Sequence, residues 1–313
     1  MPLANRLARR PVLLIVGCGD VGLRVLRLLQ GRWRVLALSS SPERFAALRE
    51  AGAVPLRGNL DEPATLGRLA GLADAVLHLA PPPAQGRSDT RTAHLLQALA
   101  RRTRPSVMVY ASTSGVYGDA AGARFDETRP VHPATDRARR RVDAEARVRW
   151  AGRALGLRVC LLRIPGIYAA DREGGHPRDR VARGAPLLAP GDDVYTNHIH
   201  ADDLARACVA ALFRGAAQRA YHVNDDSETR MGEHFDAVAD LYGLPRPPRI
   251  SRAEAATRMS PVQMSFLSES RRLDNTRMKR ELGLALRYPD VAAGLARDLQ
   301  ATARGGLRSL PVS

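Results

Sequence analysis

The chain has 313 residues, an apolar content of 45% and a formal net charge of +16 at pH 7. This length accommodates one large α/β unit or two domains, and the apolar fraction is sufficient for a buried core. No run reaches the roughly 18 apolar residues that a membrane span requires, and the apolar run after Arg6–Arg10 is too short for a signal peptide.

The positive charge alone does not identify a partner. Lys279 is the single lysine, and the arginines are scattered along the chain without an aromatic stripe beside them. The densest run, Arg137 to Arg141, is followed by acidic residues, as on a solvated helix face. Nucleic-acid binding is therefore a minor alternative, and the sequence is compatible with a homodimer.

The three cysteines are far apart. Cys18, Cys160 and Cys208 each lie in an apolar context, which favours buried free thiols over a disulfide or a metal site. The His and Cys residues also show no metal-ligand spacing. A reducing cytoplasm fits this pattern.

Strands and helices alternate through the first half of the chain, which predicts a parallel sheet with crossover helices. The predicted strands are 12–16, 33–38, 54–56, 75–79, 106–110 and 158–163, and the predicted helices are 21–30, 42–50, 63–69, 90–100 and 135–155. Ser41 and Pro42 have the residue types expected at the start of the helix at 42–50.

The pattern changes after Pro165. Residues 170–193 are rich in Gly, Pro and charge and predict a long loop or lid, and a helix at 204–213 and a strand at 221–224 follow. We expect a Rossmann-type, doubly wound α/β domain over 1–168 with a return segment near 195–225, and a smaller C-terminal α/β substrate domain mainly over 169–313. The tail from Arg304 is expected to be mobile.

The most informative segment is the turn after the first strand. Val12–Val16 runs into Gly17-Cys18-Gly19-Asp20-Val21-Gly22, and an apolar-periodic stretch follows. In a dinucleotide-binding G-x-G-x-x-G turn, the first glycine permits the turn, the second lets the backbone approach a pyrophosphate, and the third lets the helix lie close to the strand. An ordinary βα turn is the alternative.

The end of the second strand favours NADP over NAD. NAD sites usually place an Asp or Glu there for the ribose 2′-hydroxyl, whereas this chain has Ser39, Ser40 and then Arg44, which suit a 2′-phosphate. Alternatively, Arg44 is an ordinary solvated helix residue. The predicted cofactor contacts are Gly17, Gly19, Asp20, Val21, Gly22, Ser39, Ser40, Arg44, Leu60, Leu79 and Ala80.

Several later segments resemble the extended and atypical short-chain dehydrogenase/reductase superfamily of the nucleotide-sugar epimerase and dehydratase type. The matching segments are 110–118 (YASTSGVYG), 162–168 (LRIPGIY) and 197–205 (NHIHADDLA), with Glu127, Pro130, Pro133 and Glu145 between them. The resemblance covers nearly the whole chain. It implies an NAD(P)-dependent enzyme that acts on a small molecule.

The chain departs from that family at its usual acid/base pair. The resemblance aligns Arg137 with the family's tyrosine and Arg141 with its lysine, and no tyrosine lies between 118 and 167. Arginine stays protonated and cannot cycle a proton as tyrosine does. Two arginines four apart share a helix face, and at the nicotinamide end of the cleft they would favour an anionic ligand. Alternatively, that face is solvated.

Other residues can be considered for catalysis. Thr113 matches the family's substrate-oxygen Ser/Thr, although its hydroxyl also suits a strand-end cap. Tyr117, His132, Tyr168 and His200 are alternative acid/base groups, each with a structural interpretation as well. Ser114 and Gly115 replace the Asp-Glu pair of sugar 4,6-dehydratases, which argues against that reaction.

The leading hypothesis is an NAD(P)-binding oxidoreductase or epimerase-like enzyme with a small, anionic or sugar-nucleotide substrate and with Thr113, Tyr117, Arg137 and Arg141 in its active site. The alternative is a non-catalytic dinucleotide-binding sensor or assembly factor.

Overall fold

The computed structural model describes residues 10–306. The tail expected to be mobile from Arg304 has a helical backbone up to residue 306, and its remainder lies outside the described residues. The strands of this part are β1 (Val12–Val16), β2 (Arg34–Ser39), β3 (Val54–Arg57), β4 (Ala75–His78), β5 (Val107–Thr113), β6 (Arg124–Phe125), β7 (Arg158–Ile164), β8 (Gly166–Tyr168), β9 (Leu187–Leu188), β10 (His198–His200), β11 (Arg219–His222), β12 (Arg249–Ile250) and β13 (Arg272–Leu273).

The α-helices of the same part are α1 (Asp20–Leu29), α2 (Phe45–Glu50), α3 (Thr90–Ala100), α4 (Asp136–Leu155), α5 (Pro177–Ala182), α6 (Ala201–Arg214), α7 (Met231–Tyr242), α8 (Arg252–Arg258), α9 (Pro261–Leu267), α10 (Thr276–Leu282) and α11 (Val291–Gly306). Short 3₁₀ helices occupy Pro42–Arg44, Pro63–Leu69 and Ser114–Tyr117. No helix in residues 10–306 is long and apolar enough to cross a bilayer.

Seven of the described strands form one parallel sheet in the order β11-β7-β5-β4-β1-β2-β3. The chain runs outward from β1 in one direction through β2 and β3, and in the other through β4, β5, β7 and β11. The carboxyl ends of β1 and β4 therefore flank the point where the direction reverses, which is where open α/β sheets bind ligands. The predicted Rossmann-type α/β fold is confirmed.

The central strand is covered on both faces, as its unbroken apolar sequence requires. All residues of β1 are at most 2% exposed. Leu13 and Ile15 pack with α1 and α6, whereas Leu14 and Val16 pack with α3 and α4. This alternation follows from the two-residue period of a strand.

Two local expectations differ from the structure. The predicted loop at 170–193 contains α5, which has Pro177 in its first turn and an N-terminal hydrogen bond to the His176 side chain, and it also contains β9, which pairs with β12. The helix expected at 42–50 begins as a 3₁₀ turn, and the Ser41 side chain makes no cap hydrogen bond. The pairing of β9 with β12 joins segments that are far apart in the chain, so local sequence does not specify it.

The three cysteines are free and buried, as predicted. Burial raises the pKa of Cys18 and Cys160 to about 11 and that of Cys208 to about 12. α6 packs against α1, and β11 pairs with β7. Residues 201–222 therefore add a covering helix and an edge strand to the main sheet. The division of the chain at residue 168 remains a proposal.

Four buried histidines make stability depend on pH. Burial lowers the pKa of His78 and His222 to about 3, that of His198 to about 4, and that of His234 well below its usual value. In the unfolded chain a histidine titrates near about 6.5, so between these values the unfolded state binds protons that the native state does not. Burial raises the pKa of Asp225 to about 8 and also raises that of Glu127, and these two carboxyls contribute the opposite slope against the four histidines.

We therefore expect the free energy of unfolding to fall as the pH is lowered from about 6.5 to 4.5, by up to about 1.4 kcal/mol per pH unit for each histidine. Urea unfolding at several pH values measures this slope. The variant His78→Asn should show a shallower fall than the wild type. A midpoint that stays constant or rises on acidification would contradict the assignment.

Candidate functional site

The three glycines of the first turn occupy three different environments. Gly17 has φ +84°, and a Cβ there would lie 2.5 Å from the Ala80 backbone nitrogen. A Cβ on Gly22 would lie 2.9 Å from Cys18 Sγ, whereas a Cβ on Gly19 would meet no atom within 4 Å. Only the middle glycine therefore borders open space, at the amino end of α1 where helix N–H groups favour an anion.

A cleft of about 300 Å³ opens over this turn. The turn residues Gly17, Gly19, Asp20, Val21 and Gly22 and the predicted contact Leu79 line it, together with Ala111, Ser112, Thr113, Arg141, Ile164, Pro165, Ile167, Arg172 and Leu204. Ala80 and Leu60 are each 8% exposed and do not line the cleft. The Leu60 carbonyl accepts a hydrogen bond from His94 Nδ1 at 2.7 Å.

Of the predicted 2′-phosphate residues, Arg44 is exposed and contacts the glycine turn, and neither it nor Ser39 or Ser40 lines the cleft. Arg44 Nη2 donates to the Cys18 carbonyl at 2.8 Å, which holds its guanidinium against the turn. Ser39 Oγ accepts from the Ser41 backbone nitrogen at 3.2 Å. Ser40 lines a separate cavity of about 540 Å³ together with Arg57, Arg68 and Glu62. Arg44 is therefore the one predicted 2′-phosphate residue that has a described contact with the glycine turn.

A larger cavity of about 640 Å³ adjoins the cleft, and Thr113, Arg141 and Pro165 line both. Its apolar wall contains Pro81, Pro82, Pro83, Met231 and Phe266. Among the described lining residues are five arginines and one carboxylate: Arg91, Arg137, Arg140, Arg141, Arg271 and Glu269. This excess of positive charge favours an anionic occupant.

The first two turns of α4 present arginines to this cavity. Arg141 Nη1 donates to the Ala111 carbonyl at 2.7 Å and to Tyr110 Oη at 3.0 Å. The Cζ atom of Arg137 lies 4.5 Å from the ring centroid of Phe266. Both arginines line the cavity, although Arg137 is exposed and Arg141 is half-buried.

Thr113 has the strand-end capping role considered for it. Its Oγ1 accepts a hydrogen bond from the Gly115 nitrogen at 3.2 Å and so caps the 3₁₀ turn at Ser114–Tyr117. The same residue lies where the cleft and the cavity meet. Its role toward a substrate oxygen stays a prediction.

Tyr117 lies outside the cavity, contrary to the catalytic prediction. It is fully buried, and its hydroxyl lies 2.6 Å from both Arg163 Nη1 and His222 Nε2. Burial outweighs the effect of Arg163 and raises the pKa of Tyr117 to about 12. It is part of a buried polar network that also contains the Glu145–Arg163 ion pair, with an N–O distance of 2.8 Å.

The other alternative acid/base groups also have structural positions. Tyr168 Oη donates to the Asp290 carbonyl at 3.1 Å. His200 caps α6 by accepting from the Asp202 nitrogen, and its ring stacks on Tyr288. His132 is exposed. None of these three lines the cleft or the cavity in the described part of the chain.

Sequence reasoning missed several residues that line these spaces, namely Arg172, Tyr195, Phe266, Glu269 and Arg271. They come from segments after Pro165 that lie outside the family motif at 197–205. The prolines at 81–83, which also line the cavity, follow the carboxyl end of β4.

Residues 13–224 match the model of the NAD dependent epimerase/dehydratase family. The chain belongs to this family. The family assignment accounts for the parallel sheet and the glycine turn together, and it agrees with the resemblance found in the sequence.

Two curated relatives share part of the chain. The uncharacterized protein y4nG of Sinorhizobium fredii is 27% identical over 197 residues, which are 58% of this chain and 49% of that protein. This chain thus spans about half the length of y4nG. GDP-6-deoxy-D-mannose reductase of Pseudomonas aeruginosa is 31% identical over 233 residues, or 64% of this chain and 76% of the reductase.

Solved structures match over almost the full length. A functionally unknown conserved protein from Silicibacter pomeroyi is 32% identical with a TM-score of 0.79, and the match covers 94% of this chain and 99% of that one. The dTDP-glucose 4,6-dehydratase DesIV from Streptomyces venezuelae, solved with NAD bound, is 23% identical with a TM-score of 0.75, covering 94% and 98%. DesIV shares the fold.

The open space at Gly19 leads to a first test of the site. We expect Gly19→Val to weaken NADP(H) binding at least about tenfold while the thermal midpoint stays near that of the wild type, because the added side chain enters the cleft and not the protein core. Calorimetric titration measures the affinity. Gly191→Val is a matched control, since a Cβ there also meets open space. Wild-type affinity in Gly19→Val would show that the cleft does not hold the pyrophosphate.

Proposed function

We propose that this member of the NAD dependent epimerase/dehydratase family is an NADP(H)-binding oxidoreductase or epimerase-like enzyme that acts on a small anionic or sugar-nucleotide substrate. The observation that carries the proposal is the junction of the glycine-turn cleft with the arginine-lined cavity at Thr113 and Arg141. A dinucleotide in the cleft and a substrate in the cavity would meet at these two side chains.

The choice of NADP rests on the end of β2. The family name and the NAD-bound relative DesIV point to NAD in related proteins. In this chain, however, Ser39 occupies the strand end, and the Arg44 guanidinium is held beside the glycine turn. Charge-assisted hydrogen bonds from an arginine favour a 2′-phosphate over a hydroxyl.

An anionic substrate follows from the position of the arginines on α4. Arg137, Arg140 and Arg141 lie in the amino-terminal half of the helix, where the helix dipole disfavours positive charge. Within residues 10–306, none of the three has a carboxylate within salt-bridge distance. A carboxylate or phosphate in the cavity would compensate their charge by bidentate bonding.

The same residues define a chemical role. Bound NADP would supply the hydride acceptor for oxidation of a substrate alcohol. Thr113 would hold the reacting oxygen, and Arg141 would stabilise the negative charge that develops on it. Because arginine keeps its protons, we assign the hydroxyl proton to water in the open cavity.

The decisive experiment is NADPH binding followed by turnover with a panel of carbonyl substrates that includes keto-sugar nucleotides and keto acids. Consumption of NADPH with an anionic carbonyl compound supports the proposal. Tight binding without turnover of any member would favour the non-catalytic dinucleotide-binding alternative. The free buried thiols fit our further proposal of a cytoplasmic location.

The cofactor preference gives a second test. We expect the wild type to bind NADP more tightly than NAD, and Arg44→Ala to lose about tenfold in NADP affinity with little change for NAD, because the 2′-phosphate would lose one charge-assisted partner. Arg49→Ala, an exposed arginine on α2, is the control. An NAD affinity equal to or above that for NADP in the wild type would reject the preference.

The arginine pair gives a third test. We expect Arg141→Ala to weaken inhibition by an anionic product analogue about tenfold or more and to change the thermal midpoint little. Arg153→Ala, exposed on the same helix, controls for net charge. Equal inhibition of Arg141→Ala and the wild type would show that the cavity does not bind the anion through Arg141.

A fourth test restores the family's tyrosine and lysine at the two positions where this chain has arginine. We expect the double variant Arg137→Tyr, Arg141→Lys to raise NADPH-dependent reductase activity above that of the wild type, because it restores the tyrosine and lysine that move a proton. Steady-state rates across pH provide the measurement. No gain in a folded double variant that still binds NADPH would argue against the alignment of these two positions.

A further inference from the structure

Two ion pairs tie the segment after β8 to the start of α1. Arg172 Nη1 lies 2.5 Å from Asp20 Oδ2, and Arg24 forms an ion pair with Asp171. Asp20 and Arg24 are one helical turn apart and are themselves joined at 3.0 Å. Neighbouring residues of one segment thus pair with opposite charges on one face of α1.

The two arginines of this cluster differ in what they face. Arg24 is 4% exposed and uses Nε, Nη1 and Nη2 on Asp20, Asp202 and Asp171. The Arg172 side chain is 26% exposed and lines the cleft together with Gly17, Gly19 and Gly22. Arg24 is therefore an anchor inside the protein, whereas Arg172 borders the open space above the glycine turn.

The Asp20 carboxylate places a negative charge at the amino end of α1, beside the proposed diphosphate site. The amino end of α1 favours a diphosphate, but the Asp20 carboxylate stands at the same end and would repel it. Arg172 neutralises Asp20 from the cleft side, and a guanidinium has donors in a fork that suits two phosphate oxygens.

We propose that Arg172 binds the pyrophosphate of the dinucleotide, and that the Asp171–Arg172 segment is a clamp that the Asp171–Arg24 ion pair holds over the glycine turn. The proposal rests on the dinucleotide binding proposed above and adds a residue from outside the glycine motif. On binding, part of the hydrogen bonding of Arg172 passes from the Asp20 carboxylate to the phosphates.

The test compares Arg172→Met with Arg183→Met, which removes the same charge from an exposed position in the same region. Calorimetry with two probes separates the phosphate groups: NADPH carries the pyrophosphate, whereas adenosine 2′-monophosphate lacks it. We expect Arg172→Met to lose about tenfold in NADPH affinity and nothing for the monophosphate, with Arg183→Met unchanged for both.

Three results would overturn the clamp: unchanged NADPH affinity in Arg172→Met, an equal loss for both probes, or an equal loss in Arg183→Met. If the wild type itself does not bind NADPH, the proposed function fails; if it binds and Arg172→Met binds equally well, the clamp alone fails.

A second variant separates the guanidinium from the position of the segment. Asp171→Asn keeps Arg172 but weakens its anchor to Arg24, so we expect a selective loss of NADPH affinity smaller than that of Arg172→Met. A loss as large as that of Arg172→Met would show that the segment's placement, and not the Arg172 guanidinium, supports binding.

Discussion

The ion pair between Glu145 of α4 and Arg163 of β7 fixes the helix that carries the arginines of the cavity. Both side chains are 6% exposed, and Ser112 donates to the same carboxylate at 2.6 Å. α4 is otherwise a weakly apolar helix whose buried face contains mostly small residues such as Ala138, Ala144 and Ala151. Small side chains allow close approach but specify position poorly, so the polar contact determines which residues meet the sheet.

The consequences extend about two turns from Glu145 toward the amino end of the helix. With Glu145 held against β7, Arg141 falls opposite the Ala111 carbonyl, and Arg137 reaches the ring of Phe266. Arg163 also binds the Tyr117 hydroxyl, which links the helix to the strand-end turn and to His222 of β11. Removing one partner of such a buried pair typically costs about 3–5 kcal/mol, because the other charge remains buried. Stability and cavity geometry therefore depend on the same contact.

The sequence was most informative where one local rule determines the structure. The apolar strand, the three glycines and the alternation of strands and helices predicted the sheet, and the fold of the family confirms it. The rules failed where partners lie far apart in the chain. Tyr117 has a side chain that can serve as an acid/base group, and it lies in a family motif. Its environment, however, is set by Arg163 and His222, which are 46 and 105 residues away in the chain. The cavity residues Phe266 and Arg271 become neighbours of α4 only through the tertiary fold, so no local signal marks them.

The burial of Cys18 connects the thiol chemistry of the chain to the architecture of its turn. The Cys18 sulfur lies in the contact against which Gly22 packs, between β1 and α1, and burial holds its thiol in the unreactive protonated form. A thiolate-seeking reagent can reach this atom only when α1 separates from β1. The rate of Cys18 alkylation therefore measures how often the glycine turn opens. An anion that holds the turn closed would lower this rate.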